Sequence, residues 1–140
     1  MIRLLLFTCT LFAHPLYAQS LTVKFTNVRN NAGVFRVGFF TDEKSYKSGD
    51  PVYYKTIPKT NLNNGTLIYT FNDISSGTYG LVVLDDENEN DKTDYTLFIP
   101  NEGFGFSNYP IVKVQIPKFE DFDFLLGDVD LLVTVQLKYL

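Results

Sequence analysis

Oxygen-bearing side chains recur at every second position in the segment Asp86-Glu87-Asn88-Glu89-Asn90-Asp91-Lys92-Thr93-Asp94. Six carboxylates fall between Asp85 and Asp94. The spacing is that of a loop curling around Ca²⁺. Side chains supply ligands 1, 3 and 5 (Asp86, Asn88, Asn90), a backbone carbonyl supplies ligand 7 (Lys92), and ligand 9 (Asp94) binds directly or through water. A backbone carbonyl does not depend on residue type, so a lysine in the seventh place is compatible. Calcium takes six to eight oxygens in flexible geometry, and mixed Asp and Asn provide them with limited mutual repulsion. The sixth place, Asp91, stands where such loops prefer Gly, and the twelfth, Leu97, where they prefer a bidentate Glu. A further ligand is expected from Asp85, from Glu102 folding back, or from water. Glu87 and Glu89 point away on the alternation. The competing expectation is an acidic loop that is solvated, or closed by the side-chain-to-backbone bonds Asp and Asn make in turns.

Other chemistries are limited by composition. Residues 1–18 have the form of a secretory signal: Arg3 as the basic region, Leu4 to Phe12 as a short apolar core, and a small residue, Ala18, at the expected cut. The apolar run is shorter than the roughly 20 residues a membrane span needs. Cys9, His14 and Met1 are the only Cys, His and Met, and there is no Trp. Residues 19–140, the expected mature domain, therefore have no disulfide, no thiolate or imidazole ligand for zinc or copper, and no Ser-His-Asp or Cys-His catalytic set. Without Arg3, 11 basic residues face 16 acidic ones, a net charge of −5. That balance disfavours nucleic acid and anionic lipid as partners and suits hard cations.

The elements that must position the loop read as strands. Apolar residues alternate over short runs broken by Asn, Gly, Asp and Pro, which predicts an all-β domain. Leu21, Val23 and Phe25 share one face; Phe35, Val37 and Phe39 share another, and the two runs are expected to form a hairpin. A polar loop over 42–51 has room for one helical turn. Residues 52–57 give a weaker strand. Asn64-Gly65 is the signal for a type I′ turn, and the Asn64-Gly65-Thr66 triplet also matches a glycosylation acceptor. Leu67, Tyr69 and Phe71 alternate, and 78–84 is apolar enough for a central strand. Further strands are expected at 111–116, 119–126 and 129–139. About seven or eight strands predict an antiparallel β-sandwich over residues 19–140, with a closed barrel as the alternative.

The stretch "GTYGLVVLDDENENDKTD" followed by "IPNEGFGFSN" resembles the secreted bacterial family known as domain of unknown function 2141, and the ends of the expected mature chain fit it more loosely. The resemblance implies an exported β-sandwich similar to transthyretin-like or carboxypeptidase-regulatory-like domains, with no established activity. In such proteins the loop commonly reads "DENGNGKLD"; here Glu89 and Asp91 replace the two glycines and Thr93 the leucine. In the run that follows, Gly103 and Gly105 suit close backbone approach or positive φ, and Phe104 and Phe106 are expected on one side as a plug beneath the loop or as a ligand platform.

Three functions remain in view. The first is a non-enzymatic binding or interaction module for a protein or glycan, exported to the periplasm, cell surface or medium, with Ca²⁺ stiffening one end. The second is a glycan hydrolase using paired carboxylates, for which no pair stands out. The third is a structural surface or assembly subunit with a solvated loop.

Overall fold

The computed structural model describes residues 19–93, 95–96, 99–113 and 115–140, with backbone alone at 95–96 and 99–100. The expected signal segment, 1–18, and Asp94 and Leu97 lie outside the described residues. Among the described residues ten strands follow one another: β1 (Leu21–Thr26), β2 (Val34–Phe40), β3 (Tyr53–Pro58), β4 (Leu67–Phe71), β5 (Gly77–Asp86), β6 (Tyr95–Thr96), β7 (Ile99–Pro100), β8 (Gly103–Phe106), β9 (Asp123–Leu126) and β10 (Leu131–Gln136). One short helix, α1 (Glu43–Ser48), occupies the polar loop after β2. Asp42 caps it by accepting from the Ser45 N–H at 2.7 Å, which satisfies one of the first-turn donors that a helix leaves open.

Eight of the strands form two sheets, and neither closes into a barrel. One is ordered β10-β1-β4; the other is β3-β2-β5-β8, with β9 also on β5. β8 pairs with residues 82–85 of β5 and β9 with residues 77–80, so they lie end to end along one edge. β6 and β7 pair with each other. The pairings are antiparallel except for β1 with β10, which run parallel in the register Leu21↔Leu131 to Thr26↔Gln136.

The expected hairpin of β1 and β2 does not form: the two strands belong to different sheets. Each carries one apolar face, and those faces are buried against each other across the core. Leu21, Val23, Phe25, Phe35, Val37 and Phe39 are all fully buried, and the Phe25 and Phe35 rings stand 4.7 Å apart. Alternation specifies which face of a strand is apolar, and facing sheets satisfy it as well as a hairpin does. The Asn64-Gly65 turn is present, with φ of 46° and 71° and a bridge between Asn63 and Thr66. It sits in the crossover from β3 to β4.

Three other expectations change. The described residues of 111–116 form no strand; Ile111 is buried, whereas Val112 and Ile116 are among the most exposed apolar side chains. The segment expected as a strand from 119 begins with a 3₁₀ turn at Phe119–Asp121 and becomes strand only at Asp123. The last strand starts at Leu131, leaving Val129 exposed in the preceding turn.

A second apolar cluster covers the outer face of the five-stranded sheet. Phe40, Phe106, Ile111, Phe119 and Phe122 form it, with Tyr46 of α1 and Phe104 packed against them. It is where Phe104 and Phe106 project. The two are on one side, as expected, and they pack with this cluster. Residues on the other face of β8 approach the neighbouring sheet. A Cβ on Gly103 would stand 2.4 Å from the Tyr139 ring, so only glycine fits there. Phe104 and Lys138 exchange backbone hydrogen bonds of 3.0 and 2.8 Å, tying β8 to the end of the chain.

Candidate functional site

Asp85 and Asp86 end β5, and consecutive residues of a strand point to opposite faces. Asp85 follows Leu81 and Val83 to the core side. There its Oδ1 accepts a hydrogen bond from Lys59 Nζ at 2.5 Å and its Oδ2 one from the Tyr139 hydroxyl at 2.6 Å. Both charged side chains of this pair are wholly buried. Burial pushes the Asp85 carboxyl above its ordinary range, against the opposing pull of Lys59 and Tyr139. Burial also raises the Tyr139 hydroxyl, with Asp85 adding to the effect.

Asp86 turns to the outer side and is buried as well. Arg36 Nε donates to its Oδ2 at 2.8 Å. The register explains the meeting: Val34 lies opposite Asp86, and Arg36 is two residues along β2 on the same face. Burial alone would raise the Asp86 carboxyl, but Arg36 and the Asp91 and Asn90 N–H groups outweigh it and hold it low. Glu87, the next residue, takes a bidentate pair of 2.7 Å bonds from Arg29 and one of 3.0 Å from Asn30 Nδ2. Arg29 holds the Glu87 carboxyl below its usual range and also stacks on Tyr139, 4.5 Å from the ring centroid. Three consecutive carboxylates are therefore each met by a cation from a different part of the chain: Lys59, Arg36 and Arg29.

Beyond Glu87 the chain curls back over Asp86. Asn90 N–H donates to both Asp86 Oδ1 and Asn88 Oδ1, each at 3.1 Å. Asp91 N–H donates to Asp86 Oδ2 at 2.9 Å, and Lys92 N–H to Asn90 Oδ1 at 3.0 Å. The curl requires left-handed backbone at Glu89 (φ 57°) and Asp91 (φ 60°), a region in which side chains other than Asn and Asp are costly. Asp91 is further held by the Tyr54 hydroxyl at 3.0 Å and lies 3.3 Å from an Arg36 guanidinium nitrogen. The base of the curl rests on Gly33, where a Cβ would come within 2.0 Å of the Asp86 carbonyl oxygen.

The structure thus brings Asp86, Asn88, Asn90 and the Lys92 backbone into one curl. Glu102 is buried just before Gly103, the β8 residue opposite Asp85. Asp94 falls outside the described residues. Asp85 serves the core side and does not complete the curl. Among the described residues no three His, Cys, Asp or Glu side chains converge as a metal cluster. The donors in the curl are all oxygens, the kind hard cations take, and a carboxylate or amide oxygen has two lone pairs, so accepting an N–H does not by itself block a cation. Sequence reasoning missed Arg29, Arg36, Lys59 and Tyr139 as partners of the acidic run. Arg36 is placed there by strand register, and the other three lie outside the strands and are brought in by the fold.

No helix among the described residues is long and apolar enough to cross a membrane. A family model described as "Uncharacterized protein conserved in bacteria (DUF2141)" matches residues 23–133. No curated protein and no solved structure matches the chain.

Proposed function

Since the chain belongs to this DUF2141 family of uncharacterised bacterial proteins, we propose that it is an exported, non-enzymatic binding or interaction module whose acidic end takes Ca²⁺. The observation that carries the cation reading is convergence. Asp86 Oδ1 and Asn88 Oδ1, the first two ligands of the pattern, stand at the same 3.1 Å from one backbone nitrogen. In this reading Asp86, Asn88, Asn90 and the Lys92 carbonyl hold the ion, with Asp94 and Glu102 as the remaining protein ligands. The ion would share the Asp86 carboxylate with Arg36. Its role is to stiffen the curl that follows β5 and to present that end to a protein or glycan partner.

Composition supports a non-enzymatic role, because residues 19–140 contain no His or Cys. The acidic run supports it too: Asp85, Asp86 and Glu87 are each held by a cation, and no two of them face each other across a cleft as a hydrolase pair would. A second reading, an assembly subunit whose loop needs no metal, is favoured by the loop's own Asn90 and Asp91 N–H bonds.

Calorimetric titration of Ca²⁺ into EDTA-treated protein separates the two. The cation reading predicts saturable binding in the extracellular range, a Kd of roughly 10⁻⁴ to 10⁻³ M, weakened at least about tenfold in the Asn88→Ala/Asn90→Ala variant, with Mg²⁺ a poor competitor. Equal heats in both proteins would leave the loop closed by its own hydrogen bonds.

A further inference from the structure

The core side of the β5 terminus holds a separate chemistry. Lys59, the residue after β3, and Asp85 both have side chains of 0% exposure. Lys59 Nζ is 2.5 Å from Asp85 Oδ1 and donates to the Asn30 carbonyl at 3.2 Å. The Phe35 ring covers the amine, with its centroid 5.5 Å away. The Tyr139 hydroxyl holds Asp85 Oδ2 at 2.6 Å, and the Arg29 N–H holds that hydroxyl at 3.2 Å. An amine at hydrogen-bond distance from one carboxyl oxygen is about 3–3.5 Å from the carboxyl carbon, the range of a near-attack conformer.

We propose that Lys59 and Asp85 condense into an intramolecular amide that staples the end of β3 to the end of β5. A proton passes from the ammonium to Oδ1, and the neutral Nζ attacks Cγ. Negative charge develops on Oδ2, where the Tyr139 hydroxyl donates to it as an oxyanion stabiliser. The Cγ–Oδ1 bond then breaks, and Oδ1 leaves as water with a second proton from nitrogen. Ammonium plus carboxylate becomes amide plus one water, with no oxidant, activating group or other reactant. The fold supplies what the reaction lacks in solution: a fixed pair in place of two free reactants, and a dry site that does not return water to the product. The unlinked alternative is a buried ion pair, in which desolvation of both groups offsets much of their attraction. The amide removes both charges and leaves a neutral carbonyl facing Tyr139.

The position of the cleavage sites makes the test direct. No Lys or Arg lies between Lys59 and Lys92, so trypsin acting on an unlinked chain gives separate peptides, Thr56–Lys59 and Thr60–Lys92. The full chain is expressed, purified, denatured and digested, and its peptides are sequenced by mass spectrometry. The amide predicts one peptide, Thr56–Lys92, uncut after residue 59 and lighter by one water, with fragmentation placing the loss across Lys59 and Asp85. The Lys59→Arg chain, measured in the same denatured digest and so independent of its folding, restores cleavage after residue 59 and the lost water. Cleavage after Lys59 in the wild-type chain, with both peptides at unmodified mass, would overturn the proposal.

Discussion

Glu89 shows how a single residue can oppose the loop that contains it. Its φ of 57° lies in the left-handed region, and it has an exposed side chain. Relieving left-handed strain at a non-glycine residue is worth about 1 kcal/mol, so Glu89→Gly is expected to raise stability by roughly that amount in urea unfolding. Asp91→Gly relieves the same kind of strain but removes the Tyr54 and Arg36 contacts, and its net effect should be smaller. Gly33 is the reverse case. Its φ of 68° and the Asp86 carbonyl 2.0 Å from a built Cβ leave no room for a side chain, and Gly33→Ala should destabilise by at least about 2 kcal/mol. That Asp86, Asn88 and Asn90 share one curl was legible in the sequence because their alternate spacing is local. The partners of Asp85 and Asp86 were not. Arg36 and Asp86 are 50 residues apart, and Tyr139 and Asp85 are 54 apart, so nothing near the loop announces them.

At the scale of elements, the loop depends on three strands arriving together. β5 delivers the carboxylates, β2 delivers Arg36 in register, and β8 lies close enough to the chain terminus for Tyr139 to reach Asp85. Gly103 is what permits that approach, and Gly103→Ala should push Tyr139 off Asp85 and lower stability by about 1–3 kcal/mol through overpacking. The Arg29–Glu87 pair joins the segment before β2 to the loop after β5. Its partly exposed guanidinium limits it to about 1 kcal/mol or less. Glu87 has its folded pKa lowered below the ordinary 4.5, so its contribution is fully present above that ordinary value and is lost as pH falls through the lowered one. The stability difference between wild type and Arg29→Gln should therefore be largest at about pH 6 and shrink on acidification. Period-two alternation marked β1, β2, β4 and the body of β10, and the long apolar run of β5 marked a central strand, whereas the apolar residues of 111–116 form no strand among the described residues. Pairing was not readable. The alternation of β1 is the same whether it partners β2 beside it or faces β2 across the core, and its parallel pairing with β10 joins the two ends of the described chain.

Taken whole, the molecule is a two-sheet β structure whose acidic end is neutralised from within by Lys59, Arg36 and Arg29 and, in the proposed function, completed from outside by calcium. A ligand that binds only the folded state stabilises it by about 2.7 kcal/mol at a hundredfold excess over its dissociation constant. That linkage makes thermal unfolding the most direct test: melting in EDTA, then across a Ca²⁺ series with Mg²⁺ as control, for wild type and for the Asn88→Ala/Asn90→Ala variant. The account predicts a saturable, Ca²⁺-selective rise in Tm for the wild type and a much smaller one for the variant. A wild-type Tm that does not move with Ca²⁺ would contradict it, and would leave the curl over Asp86 as a loop held by its own hydrogen bonds and by Arg36.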